Sequence, residues 1–123
     1  MTIFNSTYGL KKGWTWAGHK LRGYTGGTDY RTVPDTQIQA PVKGVVYDIA
    51  GSIKGQGILH ASGWAVEALE IKSGRKPGTV VYPSDGWVRT GDKWLHLHSV
   101  SPAGKRYPYA TGIAKIRSYE AKK

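Results

Sequence analysis

The sequence predicts a mostly β fold, an antiparallel sheet domain with long loops. The composition favours it, since 17 Gly, 5 Trp and 8 Tyr are more typical of strands and turns than of a helical bundle. Short segments alternate between apolar and polar residues, and Pro and Gly separate them. A chain of 123 residues is long enough for one core and too short for two. We therefore expect a single domain over residues 1–123.

The first half of the chain predicts strands joined by one long loop. Residues 1–34 are aromatic, Gly-rich and without clear periodicity, which predicts short strands and a long loop around GHKLRGYTGGTDYRTVPD. TQIQAPVKGVVYDIAG predicts two short strands about a turn at residues 41–44. GILHAS is a further short strand.

The second half continues the pattern. WAVEALEIKSG has spacings that suit either a helical turn or a strand, and the bounding glycines favour the strand. TVVYPSDGWVRTG has a turn at SDG, and KWLHLHSVS follows as another strand. GKRYPYATGIAKIRSY is expected to add one or two more strands.

Charge and cysteine content limit the function classes. The chain has no Cys, so any metal must be held by His, Asp or Glu. Its formal charge of +10 predicts attraction to polyanions such as nucleic acid, anionic lipid or cell-wall polymers. The basic residues are scattered rather than collected in one block, which favours a generally basic surface over a nucleic-acid groove.

Neither a secretion signal nor a membrane span is predicted. The N-terminus, MTIFNSTYGLKKGW, lacks a continuous apolar region followed by a small-residue cleavage site. No stretch approaches the roughly 20 apolar residues of a membrane-spanning helix.

The segment DKWLHLHSVSP carries the most informative motif. On a strand, side chains two residues apart point to the same face, with Cα atoms about 6.5–7 Å apart. His96 and His98 would then share one face, with Leu95 and Leu97 on the other. By itself a His-x-His pair is more often a surface or packing feature than a metal site.

The rest of the chain supplies the remaining parts of a hydrolytic metal site. Such a zinc site needs three N or O ligands, one open position for water, and a nearby group that moves protons. The chain has two further histidines, His19 and His60, and Asp29 lies beside two glycines in GGTDY. No Ser lies in a Gly-x-Ser-x-Gly elbow that would indicate a nucleophilic triad instead. The turn-like surroundings of Asp85 and Asp92 predict that both are turn residues. We expect Glu67 and Glu70 to be solvated.

The order GHKLRGYTGGTDY … TQIQAPVKGVV … GILHAS … WLHLHS … GKRYP resembles the lysostaphin-like zinc endopeptidases that cut peptidoglycan peptides. The resemblance covers roughly residues 17–109. It implies a single lysostaphin-like peptidase domain, with the metal site in a groove on the sheet. It implies that His19, Asp29 and His98 bind zinc, and that His96 and His60 are catalytic. Bacterial peptidoglycan would be the substrate, as for a phage lysin or a virion-associated lytic enzyme.

The sequence departs from the family pattern at two places. Nine residues separate His19 from Asp29, where the family usually has three, so the glycine-rich insert must loop out. His60 is preceded by GIL rather than by Tyr-x. A rival alignment places WLHLHSVSPAGKRYPYATGIAKI on an earlier family strand, and the domain would then be incomplete.

Two other functions remain open from the residues. The first is a non-catalytic module of the same fold that binds cell wall or forms part of a phage particle. The second is a small β-barrel in which basic and aromatic residues bind single-stranded nucleic acid. The second leaves His-x-His and GGTDY unexplained, so nucleic acid is the less favoured partner.

Overall fold

The computed structural model describes residues 15–23 and 26–122. In chain order its elements are α1 (Trp16–Leu21), β1 (Thr28–Arg31), β2 (Gln37–Gln39), β3 (Gly44–Asp48), β4 (Gly55–Leu59), β5 (Ala65–Leu69), β6 (Ile71–Gly74), β7 (Val80–Val81), β8 (Gly86–Thr90), β9 (Trp94–Val100), β10 (Arg106–Tyr107) and α2 (Tyr109–Ala121). The prediction of a mostly β, antiparallel fold is confirmed.

The strands form two antiparallel sheets. The larger sheet has the order β1-β9-β5-β4-β3-β7, and β10 also pairs with β9. The smaller sheet has the order β2-β8-β6. Over the described residues neither sheet closes into a barrel, so the barrel expected for a nucleic-acid-binding rival is not the architecture found. The strands predicted on either side of residues 41–44 exist, but they pair in different sheets rather than with each other.

The core lies on one face of the larger sheet. Leu95 and Leu97 of β9 are at most 1% exposed, and they belong to the same buried cluster as Ile38 and Val88 of the smaller sheet. Alternation along β9 therefore turns His96 and His98 to the opposite face, as the sequence predicts.

Two helices lie where strands or loop were expected. Helix α1 occupies residues assigned to short strands and loop, and Thr15 caps it by accepting a hydrogen bond from the Gly18 backbone N–H at 3.1 Å. The segment GKRYPYATGIAKIRSY contains one of the one or two strands expected, β10, and helix α2 takes the place of a second. The buried residues of helix α2 are Tyr109, Gly112, Ile113 and Ile116. That spacing of i, i+3, i+4 and i+7 is the helical one, so the expectation of a strand there was wrong.

No helix in the described part of the chain is both long and apolar enough to cross a membrane.

Candidate metal centre

The pairing of β1 with β9 builds the first half of the site. Asp29 lies directly opposite His96 in this antiparallel pair, so both side chains project from the same face of the sheet. His96 Nδ1 is 3.0 Å from Asp29 Oδ1. Both side chains are largely shielded, with 10% of His96 and 17% of Asp29 exposed.

Helix α1 adds the third side chain. His19 Nδ1 lies 2.9 Å from the Thr15 carbonyl oxygen one helical turn earlier. Its Nε2 lies 3.5 Å from Asp29 Oδ1. The rings of His19 and His96 meet edge to face, with centroids 4.8 Å apart. Two imidazoles from distant parts of the chain thus converge on the same carboxylate oxygen.

The donor set fits a bound divalent cation. One ligand atom from each of His19, Asp29 and His96 lies within 4.8 Å of the others. The Thr15 carbonyl can only accept, so it fixes the proton of a neutral His19 on Nδ1 and turns the Nε2 lone pair towards Asp29. A lone pair facing a carboxylate oxygen is unfavourable unless a cation lies between them. A second ring nitrogen bonded to a backbone carbonyl is also the usual support of a metal-ligating histidine.

Gly27 provides the space that His96 needs. A Cβ atom at Gly27 would come within 1.9 Å of His96 Nε2, so any side chain there would displace the imidazole. His96 Nε2 is buried and has no hydrogen-bond partner among the described residues. The GGTDY segment therefore delivers Asp29 and also leaves room for the ring opposite it.

His98 is fully buried and belongs to a separate network. Its Nε2 donates to Glu67 Oε1 at 2.5 Å, and Tyr47 Oη donates to Glu67 Oε2 at 2.6 Å. Glu67 faces His98 directly across β5 and β9. The expectation that Glu67 is solvated was wrong, since the residue is 8% exposed.

The charge states in this network follow from burial and hydrogen bonding. Burial lowers the pKa of His98, although Glu67 acts in the opposite direction. Burial alone would raise the pKa of Glu67, but hydrogen bonds from His98 and Tyr47 outweigh it, and that pKa is lowered. Burial and the neighbouring Glu67 raise the pKa of Tyr47. A neutral imidazole and a neutral phenol therefore share one ionised carboxylate.

His60 lies at the other end of the sheet. Leu69 is opposite His96, whereas Leu59, which precedes His60, is opposite Ala65. Four residues of strand separate these positions by about 14 Å. His60 Nε2 donates to Glu120 Oε1, and its Nδ1 lies 2.9 Å from Ser62 Oγ.

The structure thus distributes the five predicted site residues over three places. His19 and Asp29 meet, and they meet His96 rather than His98. His98 adjoins the group, with its ring centroid 5.6 Å from that of His96. His60 instead lines a cavity of about 590 Å³ together with Tyr82 and Glu120.

One further carboxylate is associated with the site. Glu70 follows Leu69, the partner of His96, and the charges of Asp29, His96 and His19 all act on it. Partial burial and then Asp29 raise its pKa, against the opposing effect of His96. No sequence pattern distinguishes Glu70 from other surface acids, because its position depends on the pairing of β5 with β9.

Comparisons with known proteins give a fold but no close relative. A scan against protein-family models found no match, and a search of curated proteins found none. Among solved structures, the catalytic domain of the prophage-encoded M23 protein EnpA from Enterococcus faecalis, determined as a point variant, superposes with a TM-score of 0.60 at 21% identity. The match covers 69% of this chain and 75% of that one. The chain has the lysostaphin-like M23 fold.

Two further structures agree with this fold. Lysostaphin itself matches with a TM-score of 0.64 at 17% identity, over 77% of this chain and 45% of the lysostaphin chain. Pseudoalterin, an M23 metalloprotease from the deep sea, matches with a TM-score of 0.63 at 16% identity, over 80% of this chain and 68% of its own. The lysostaphin-like resemblance predicted from the sequence is confirmed at the level of the fold.

Proposed function

We propose that this protein is a zinc-dependent endopeptidase that hydrolyses peptide bonds in bacterial peptidoglycan. The observation that carries the proposal is the convergence of His19, Asp29 and His96, on the sheet face opposite Leu95 and Leu97, in a fold shared with metalloproteases. Three protein ligands of the His and Asp type leave the fourth tetrahedral position for water or substrate, as catalytic zinc sites require.

Each residue of the group has a defined task. Asp29 supplies the negative charge towards which both rings converge, while the Thr15 carbonyl keeps the His19 ring oriented. When bound, zinc would supply Lewis acidity, which polarises the scissile carbonyl and lowers the pKa of a water ligand to about 7. Burial of both imidazoles strengthens their interaction with a cation because water does not screen it.

The third ligand is the point where geometry and family resemblance differ. The resemblance assigns His98 as ligand and His96 as catalytic, whereas the geometry supports His96 as ligand, with Nδ1 at 3.0 Å from Asp29. His98 is fully buried and holds Glu67. We therefore propose the exchange of these two roles, and the metal content of His96→Ala and His98→Ala decides between them.

The substrate is inferred from resemblance and charge. The family resemblance points to peptidoglycan stem and bridge peptides, and a formal charge of +10 favours association with walls rich in anionic polymer. Wall binding should accordingly weaken as salt rises from about 0.05 to 0.5 M, because screening shortens the reach of surface charges. Binding that is insensitive to salt would contradict this role of the charge.

The biological setting is also proposed from the family resemblance. A phage lysin or a virion-associated lytic enzyme would encounter host peptidoglycan, and EnpA, a protein of this fold, is prophage-encoded. Loss of turbidity would test this setting in two arrangements. In one, the purified chain is added to cells from outside, and in the other it is expressed inside them.

One observation favours a second candidate, a wall-binding module without activity. Of the two histidines expected to be catalytic, His96 lies within the proposed ligand set, and His60 is bonded to Glu120 about 14 Å away along the sheet. If neither acts on substrate, the site lacks an imidazole that moves protons.

The deciding experiment is peptide-bond hydrolysis with added zinc. Purified protein at about one zinc per chain should release new amino termini from purified peptidoglycan, and chelation should abolish the release. A protein that binds zinc and walls but releases no amino termini from any peptidoglycan type would support the inactive module instead.

A further inference from the structure

Glu70 occupies an unusual place at the edge of the metal centre. It directly follows Leu69, which is the partner of His96 across β5 and β9. Adjacent strands are about 5 Å apart and consecutive Cα atoms 3.8 Å, so the backbones of Glu70 and His96 are within about 9 Å. An extended glutamate side chain can span most of that distance.

The backbone at Glu70 departs from strand geometry. Strand alternation would turn Glu70 to the core side, with Val66 and Ala68, both buried. Instead Glu70 has φ of 65°, in the left-handed region that glycine adopts most readily. This turn breaks the alternation, keeps the carboxylate out of the core and sends Ile71, 6% exposed, into it.

Hydrogen bonds on both sides hold this conformation. The Glu70 carbonyl accepts from the Gly91 N–H at 3.3 Å, and the Ile71 N–H donates to the Lys54 carbonyl at 3.2 Å. A bulky residue held in a left-handed conformation is more common at functional sites, where the surroundings over-determine the backbone. Glycine would fit this turn without strain, so the turn alone gives no reason for a glutamate.

The charges of the metal centre act on the Glu70 carboxylate. All three members of the metal centre contribute to the electrostatics of Glu70, with Asp29 and His96 contributing more than His19. Unlike His98, the residue is solvent-exposed, so a substrate or a water molecule at the centre can reach it. Glu70 is thus an accessible carboxylate close to three shielded ligands.

We propose that Glu70 is a catalytic residue of this centre and carries the proton during peptide hydrolysis, an inference that rests on the proposed function. As the water oxygen bonds to the scissile carbonyl carbon, one water proton passes to the Glu70 carboxylate, and the carbonyl π electrons move to oxygen. The carbonyl then re-forms, the C–N bond breaks, and Glu70 gives its proton to the departing nitrogen. The second water proton stays with the new carboxyl group until solvent removes it.

The proposal accounts for the group that the centre otherwise lacks. His98 is completely buried, and His60 is at the far end of the sheet. General acid–base assistance by a positioned side chain contributes about 10²–10⁴-fold to the rate. A glutamate beside the ligands can supply this without an imidazole.

The test compares Glu70→Gln, Glu70→Gly and Glu70→Asp with the wild type in the zinc-loaded protein. The Gln and Gly variants should release amino termini from peptidoglycan about 10²–10⁴-fold more slowly in kcat, with KM and zinc content unchanged. Glu70→Asp should retain intermediate activity, since it keeps the carboxylate on a shorter arm. Asp92→Asn is the matched control, because it removes another acid that acts on Glu70 and should stay within about twofold of the wild type.

Glu70→Gly also gives a readout independent of activity. If the glutamate is strained in its left-handed turn, the metal-free Gly variant should melt at the wild-type temperature or above while its hydrolysis is lost. A purely structural residue would show the reverse, with activity following stability.

The possible results separate this inference from the proposed function. Wild-type protein without hydrolytic activity would overturn both. Active wild type with Glu70→Gln or Glu70→Gly variants that keep kcat within about threefold would overturn the role of Glu70 alone. Variants that lose zinc in proportion to activity would make Glu70 a metal-holding residue and would also contradict the proton-carrier role.

Discussion

Two ends of the same sheet place an imidazole next to a carboxylate, with opposite consequences. At the β1–β9 edge, His19 Nε2 and His96 Nδ1 approach one oxygen of Asp29 at 3.5 and 3.0 Å. At the far end, His60 bonds Glu120 through Nε2 and Ser62 through Nδ1. Both nitrogens of His60 are therefore engaged within the protein, whereas His96 Nε2 of the first group is buried without a hydrogen-bond partner among the described residues.

The difference shows what identifies a metal centre in this molecule. A histidine beside an acid is satisfied by one hydrogen bond and needs no ion. Convergence of two rings on a single oxygen, with one ring fixed by a backbone carbonyl, leaves donor atoms that a cation satisfies better than protons do.

The largest effect is expected from substitutions in the group around Asp29, which leave the His60–Glu120 pair intact. His19→Ala, Asp29→Ala and His96→Ala should each reduce zinc content from about one per chain to near zero, because two ligands do not retain catalytic zinc. His60→Ala should keep the full zinc content. Elemental analysis after dialysis measures the zinc content per chain. Loss of zinc from His60→Ala would contradict the assignment of the metal to the first group.

The next effect concerns the residue between the two ends. His98→Ala should keep zinc but lower the free energy of unfolding by about 3 kcal/mol, because it leaves the buried Glu67 carboxylate with Tyr47 as its remaining partner. Urea denaturation measures the loss, and His60→Ala provides the comparison. Full stability with loss of zinc in His98→Ala would restore the role that the family resemblance gives it.

The buried network also predicts a pH dependence for the metal-free protein. The pKa of His98 is lowered from 6.5, so the unfolded chain binds this proton first and stability falls as the pH drops below about 6.5. The pKa of Glu67 is lowered from 4.5, so its contribution is present above about pH 4.5 and is lost below it. In a plot of stability against pH, His98→Gln should remove the fall that begins below about pH 6.5. Identical curves for this variant and the wild type would contradict the attribution of that fall to His98.

The smallest effect is expected at the far end. Glu120 is half exposed, with 50% of its side chain accessible, so Glu120→Gln should cost about 0.5 kcal/mol of stability and leave zinc content unchanged. Thermal melts measure the stability, and elemental analysis after dialysis measures the zinc content. A drop in zinc content would mean that the two ends are coupled.

Local pattern predicted one part of the site and tertiary pairing decided the rest. The alternation in WLHLH placed His96 and His98 on one face, away from Leu95 and Leu97, as the structure has them. Whether Asp29 faces His96 or His98 depends on the register of β1 against β9, strands that are more than 60 residues apart in sequence. A shift of two residues would exchange the partners without changing any local pattern.

The two helices were not predicted from the sequence, for different reasons. The spacing of Tyr109, Ile113 and Ile116 carried a helical signal that the shorter strand-like runs obscured. Helix α1 has six residues, too few for periodicity to be read, and it depends on the Thr15 cap and on packing around His19. This helix brings His19 to Asp29 despite the nine residues that separate them.

A crystal structure of the protein grown with zinc, with anomalous diffraction recorded at the zinc edge, would test the central claim most directly. We predict one strong anomalous peak, within about 2.0–2.2 Å of His19 Nε2, an Asp29 carboxylate oxygen and His96 Nδ1. A peak ligated by His98 in place of His96, or one located at His60 and Glu120, would contradict the account.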